Sequence, residues 1–237
     1  MSVMFVLGLF VGCEGGSAEV VMSGVVLDAP GGAGSTVEGA LVSIFDQTHV
    51  AGEVAETDAA GAFSVIVPAG EVFFVHAAAE GFVSTGFQGA AGTSSFSLAS
   101  GYPWIATPEY LAGAVAAWVG CPDLDRPGTL IMGEARFSQA NVDPAYSPPA
   151  PGVTVVVQDS AGETHTACYI DETGVVDPAL TETAITGAFA VFGVPEGAFL
   201  LTLSQSLSSG DVSESFEFDA PADGLVPVYP VMVTEFE

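Results

Sequence analysis

The sequence predicts an all-β chain of two tandem sandwiches joined by one short helix. Three observations carry that prediction. Hydrophobic residues make up 49% of the 237 positions, and many are Val and Phe, which suit a pleated, half-buried surface. Turn formers are dense, with 29 Gly and 15 Pro, and they punctuate short apolar runs about every ten residues, the spacing of a sandwich or barrel. One turn-and-strand frame also occurs twice.

The first set of strand-like runs covers 20–27, 40–45, 62–67, 72–78, 83–87 and 94–98. Between them lie turn signals at Pro30-Gly31-Gly32, Gly61, Pro68-Ala69-Gly70 and Gly81. The pattern changes at 101–125. Thr107 can cap a helix that Pro108 opens, and Leu111, Val115 and Trp118 recur at helical spacing. Gly120 and Pro122 stand where such a helix would stop. A second set of strands is expected at 130–137, 153–158, 166–170, 188–194, 199–203, 213–218 and 226–233, with a proline-rich loop at 141–152. The division that follows is an exported leader at 1–13, a linker at 14–18 and a first sandwich at 19–100. A linker at 101–127 with its helix at 108–119 leads to a second sandwich at 128–237.

The repeated frame reads Gly61-Ala62-Phe63-Ser64-Val65 and then Val67-Pro68-Ala69-Gly70 in the first half. In the second it reads Gly187-Ala188-Phe189-Ala190-Val191 and then Val194-Pro195-Glu196-Gly197. Upstream, Gly39-Ala40 and Thr57 match Gly152-Val153 and Thr183. Phe and the following Val share one strand face at period two, while Pro and Gly preset the next hairpin. These residues resemble the carboxypeptidase regulatory-like, or transthyretin-like, β-sandwich family. The likeness runs from Gly24 to Phe82 and again from Gly133 to about Leu203, roughly three quarters of the chain. It implies two seven- to eight-stranded prealbumin/Ig-like sandwiches that serve as accessory modules, and related starch-binding-like sandwiches bind glycans. Residues 168–171 and 177–181, with the helix before them, also resemble exported proteins of myxobacteria-type bacteria.

Charge narrows the partners. Asp and Glu number 29 against two Arg (Arg126 and Arg136) and no Lys, a formal charge of −27. Phosphate backbones and anionic lipid headgroups are repelled by such a surface. At the N-terminus, residues 3–12 form an apolar run too short to span a bilayer as a helix but suited to a signal-peptide core. It ends at Gly12-Cys13 and resembles a bacterial lipobox, although Phe10 and Val11 depart from the usual residues and no basic segment precedes it. Cys13 is therefore the expected lipidation site, with other export and a buried N-terminal strand as alternatives. Cys121 and Cys168 then remain as an even pair. A disulfide closing about 46 intervening residues would contribute roughly 4 kcal/mol; two separate buried thiols are the alternative.

Catalytic signatures are absent from the sequence. His49 and Glu53 are spaced H-x-x-x-E, a pattern of neither common zinc-peptidase motif. His76 lies in an apolar strand and His165 precedes Cys168 by three, and both read as structural. The C-terminal Tyr-Arg-Gly-Ser of transthyretin-like hydrolases, the two-Tyr, two-His iron set of intradiol dioxygenases, G-x-S-x-G and a P-loop Lys are all missing. No enzyme, metal or cofactor is expected. Candidate calcium carboxylates are Asp123 with Asp125, and Asp171, Glu172 and Asp177, none at EF-hand spacing. Trp104 and Tyr102 are the candidate ligand contacts for a sugar-stacking face, with Trp118 expected in the core. The leading expectation is a lipid-anchored periplasmic or surface module that binds a protein partner or acts as a spacer. A carbohydrate-binding module is the alternative.

Overall fold

Alternation of apolar and polar residues becomes strands on nearly every run that shows it. The structure, a computed structural model, describes residues 18–32, 34–98, 103–137, 148–207, 210–228 and 231–232. In the first half these form β1 (Glu19–Val25), β2 (Leu41–Phe45), β3 (Ala51–Glu56), β4 (Ala62–Pro68), β5 (Val72–Ala78), β6 (Thr85–Ala90) and β7 (Phe96–Ser97). After helix α1 (Pro108–Ala116) come β8 (Thr129–Glu134), β9 (Arg136–Phe137), β10 (Val153–Asp159), β11 (Thr164–Thr166) and β12 (Cys168–Tyr169). The chain then adds β13 (Ala188–Val194), β14 (Gly197–Leu207), β15 (Gly210–Ala220), β16 (Leu225–Val228) and β17 (Val231–Met232).

Three differences from the expected strands have physical reasons. β3 was not foreseen: it is an edge strand of small and acidic residues, almost wholly exposed, so it carries no apolar alternation. The run at 166–170 divides because β11 pairs with β10 in one sheet while β12 pairs with β13 in another. The run at 226–233 breaks after Val228 and resumes at Val231.

Each half has its own core between two layers. In the first, the three-stranded sheet β4-β1-β7 contributes Met22, Phe63 and Val65, which meet Val42, Ile44, Phe73 and Val75 of β2 and β5. In the second, the four-stranded sheet β11-β10-β14-β15 contributes Val155, Val157, Leu201 and Leu203, which meet Ile131, Phe189, Val191 and Val226. The remaining layers are one object. Strands β12-β13-β8-β16 continue through β6-β5-β2-β3 as a single eight-stranded sheet, joined where Leu225 pairs in parallel with Thr85. The amide of Leu225 donates to Ser84 O at 2.9 Å across that seam.

Period-two alternation puts the two cores on opposite faces of the shared sheet. Thr85 lies opposite Leu225, Phe87 is two residues on, and Val75 is paired with Phe87 and points into the first core. Val226, one residue after Leu225, therefore points the other way, into the second core. A third cluster covers the seam on the first-core face: Trp104, Trp118, Cys121, Leu130, Cys168, Phe192 and Leu225.

The repeated frame is reproduced bond for bond. Val26 N donates to Gly61 O, and Ala135 N to Gly187 O, both at 2.9 Å. Thr57 Oγ1 accepts from Ala40 N at 2.8 Å and donates to Val37 O at 2.6 Å; Thr183 Oγ1 accepts from Val153 N at 3.0 Å and donates to Ala150 O at 2.6 Å. The second frame is one residue longer between Val191 and Val194, and the extra residue is a β-bulge with Gly193 at φ +68°. The Arg126 stem lies so close that a Cβ at Gly193 would fall 2.4 Å from its Cγ.

Candidate functional site

The helix forms as read but ends early. Thr107 Oγ1 accepts from Tyr110 N at 3.1 Å, and the helix closes at Ala116 with Ala117 as its C-cap. No helical residue is fully buried; Leu111 and Val115 rest half-buried on the seam cluster, and Trp118 beyond the helix end is buried as expected. The stretch read as a linker thus carries Trp104, Trp118 and Cys121 into packed surroundings. Cys121 and Cys168 form a disulfide with Cα atoms 5.9 Å apart, tying that stretch to β12.

Trp104 requires a correction. It was expected to offer an open ring to a sugar, yet it is only 3% exposed. Its ring packs edge-on against Tyr110 at 5.2 Å and Phe87 at 6.1 Å, and its backbone carbonyl accepts from Thr85 Oγ1. An apolar body of this size contributes more in the seam than in water. Tyr102 and Cys13 lie outside the described residues. A groove of about 340 Å³ does open over the seam cluster, lined by Trp104, Tyr110, Trp118, Met132, Ile170 and Pro227. Tyr110, 37% exposed, is the ring there that solvent reaches most readily.

The acidic loops turn their carboxylates inward to their own backbone. Asp46, Asp58, Asp159 and Asp171 each begin a five-residue turn. In each, Oδ1 accepts from the amides two and four residues on, at 2.8–3.1 Å. Hydrogen bonds to the charged form hold Asp46 and Asp171 below the ordinary carboxylate value, led by the Thr48 and Thr173 hydroxyls. For Asp159 the leading cause is His165. Asp177 caps Ala179 N at 2.9 Å in the same manner. Among the described residues no group of three His, Cys, Asp or Glu is placed to hold a metal ion.

Each His is paired with an aspartate, the role that Lys would ordinarily share. His165 is buried and donates from Nε2 to Asp159 Oδ2 at 3.0 Å, inside its own hairpin. His49 and His76 do something the sequence did not suggest: both reach the same carboxylate from the other half. His49 donates from Nδ1 to Asp219 Oδ2 at 2.6 Å, while His76 donates from Nε2 to the Asp219 backbone carbonyl at 3.2 Å and stands 2.9 Å from Oδ1. Asp219, near the end of β15, is 6% exposed. His49 stacks on Phe74 at 4.7 Å and His76 leans on Phe45 at 4.6 Å. Glu53, the other member of the H-x-x-x-E spacing, instead accepts from Ile66 N at the open edge of β4, a common way of blunting an edge strand.

Around this bridge β15 lies directly on the first half. Gln88 Nε2 donates to Glu217 O at 2.9 Å. Gly86 leaves room for Asp219 O, which a Cβ would approach to 2.9 Å. Beside the bridge, a cleft of about 400 Å³ between β5–β6 and β14–β15 is lined by Phe74, Gln88, Leu200, Phe216 and Glu217, among others.

No family model matches the chain, and no curated protein matches it. Among solved structures it is similar to the Bacillus anthracis TIE protein, at 13% identity over 92% of this chain with a TM-score of 0.28. This chain spans about a third (34%) of that protein. It is also similar to the shaft pilin SpaA of Lactobacillus rhamnosus GG, at 9% identity, 94% of this chain, 100% of the other and a TM-score of 0.29. BcpA, the major pilin subunit of Bacillus cereus, stands at 8%, 92%, 100% and 0.29. Likeness at this level assigns neither family nor activity.

Proposed function

We propose that the chain is a non-catalytic, exported cell-envelope protein, lipid-anchored at Cys13, whose two carboxypeptidase regulatory-like sandwiches act as one stiff body that spaces or presents a protein partner. The observation that carries this reading is the eight-stranded sheet shared by both halves, with the two cores on its opposite faces. Independent modules on a tether would share no sheet. Here bending that opens the disulfide face must break strand pairing and part the packed Trp104, Leu130 and Leu225. The strong negative charge opposes self-association and disfavours nucleic acid. The burial of Trp104 counts against a carbohydrate-stacking platform.

Small-angle X-ray scattering of the mature chain tests stiffness. The profile should fit one fixed envelope, and a profile that needs a spread of inter-half angles would reject the reading. Labelled palmitate tests the anchor: incorporation should occur in the native chain and vanish in Cys13→Ala, and equal labelling of both would remove the lipid claim.

A further inference from the structure

The four aspartate-initiated turns place a left-handed residue at the same position. In three it is glycine, namely Gly61, Gly162 and Gly174, at φ between +71° and +85°. In the fourth it is His49, at φ +60°. The only other non-glycine residue in that region, among those described, is Asp223 at φ +45°, in the turn between β15 and β16. Both strained positions therefore sit where the halves meet. A side chain kept in a backbone that favours glycine must be held there by its surroundings, and for His49 those are its own Asp46 turn together with Asp219 and Phe74.

The seam is fastened differently on its two faces. On the first-core face lie the apolar cluster and the Cys121–Cys168 disulfide. On the opposite face, reached by His76 because it alternates with Val75 and Ala77, the fastening is polar: the His49–Asp219–His76 bridge and, beside it, the Gln88–Glu217 bond. We propose that the seam is a hinge with one openable side, and that His49 is the latch that closes it. Release lifts β15 off β5 and β6 about the Leu225–Thr85 pairing while the disulfide side stays packed. The cleft lined by Phe74, Gln88, Leu200 and Phe216 then opens. This rests on the stiff-body reading, for which the latch supplies the closing contact.

Hydrogen–deuterium exchange of the oxidised chain tests it. His49→Gly relaxes the turn and removes the latch. His49→Asn also accepts a left-handed backbone and carries its amide nitrogen at the δ position of the His49 Nδ1 that meets Asp219, so it should keep native exchange. His49→Gly should raise exchange in peptides covering 76–88 and 217–224 by about tenfold, leaving β4 and β13 unchanged. Asp219→Asn should act in the same direction. Unchanged exchange at the seam, or an equal rise throughout both halves, overturns the latch. The two proposals fail separately. A native chain that already scatters as a spread of angles rejects the stiff body, whereas a stiff native chain with an equally stiff His49→Gly rejects the latch alone.

Discussion

The two halves run the same frame to different ends. In the first, Phe63 and Val65 belong to a small sheet of three strands that covers one core. In the second, the equivalent Phe189 and Val191 belong to the eight-stranded sheet, one face of which packs the second core while the other packs the seam. Identical local bonds at Thr57 and Thr183, and at Gly61 and Gly187, show that the frame specifies a strand-turn-strand unit. Which layer the unit joins is decided by what lies next to it.

The largest effect expected is on that difference. Phe→Ala in a core costs about 3–5 kcal/mol. Phe189→Ala should fall at the upper end, because the ring is fully buried and its strand carries the shared sheet. Phe63→Ala should fall lower and melt the first half ahead of the second. Calorimetry would show one merged loss for the former and a split transition for the latter; the reverse order would break the comparison.

Next come the paired turns. A Cβ at Gly187 would lie 2.4 Å from Ala135 O, and one at Gly61 would lie 2.9 Å from Val26 O, both at positive φ. Each Gly→Ala should cost about 1–3 kcal/mol, with Gly187→Ala the worse, as read by denaturant midpoints. Thr57→Val and Thr183→Val each leave one buried amide and one carbonyl unpartnered, at about 1–3 kcal/mol. Because the two hydroxyls make matching bonds, the two losses should agree within a few tenths of a kcal/mol, and a large disagreement would mean that the frames are not energetically equivalent.

The smallest effect is electrostatic. Asp46, Asp159 and Asp171 are held below their ordinary value of 3.8 in the folded chain. Protonation therefore favours the unfolded chain: their stabilisation is whole above that value and drains as pH falls through the lower folded values. Relief of self-repulsion among 29 carboxylates acts oppositely on acidification from neutrality. The melting temperature should thus rise from pH 7 toward about 5 and fall below about 3.8. Two of the three carboxyls lie in the second half, which should weaken first in acid.

Much of this was legible in the residues. The frame, its glycines, the Thr107 cap and the Cys121–Cys168 pairing all rest on contacts between near neighbours or on a loop that two cysteines can close, so local pattern carries them. One readable signal went unused. Asp46-Gln47-Thr48-His49-Val50 places His where Asp58-Ala59-Ala60-Gly61, Asp159-Ser160-Ala161-Gly162 and Asp171-Glu172-Thr173-Gly174 place Gly, and that exception marks His49. The burial of Trp104 is not legible in the sequence, because an aromatic beside turn residues looks the same whether solvent or a second half covers it.

Strand content, turn chemistry and the doubling of the frame were thus determined by the sequence alone, since periodicity and backbone preference act within a few residues. The shared sheet, the opposite-facing cores and the convergence of His49 and His76 on Asp219 were decided only by tertiary structure. Leu225 meets Thr85, and Asp219 meets His49, across well over a hundred residues, and no local pattern encodes a pairing at that range.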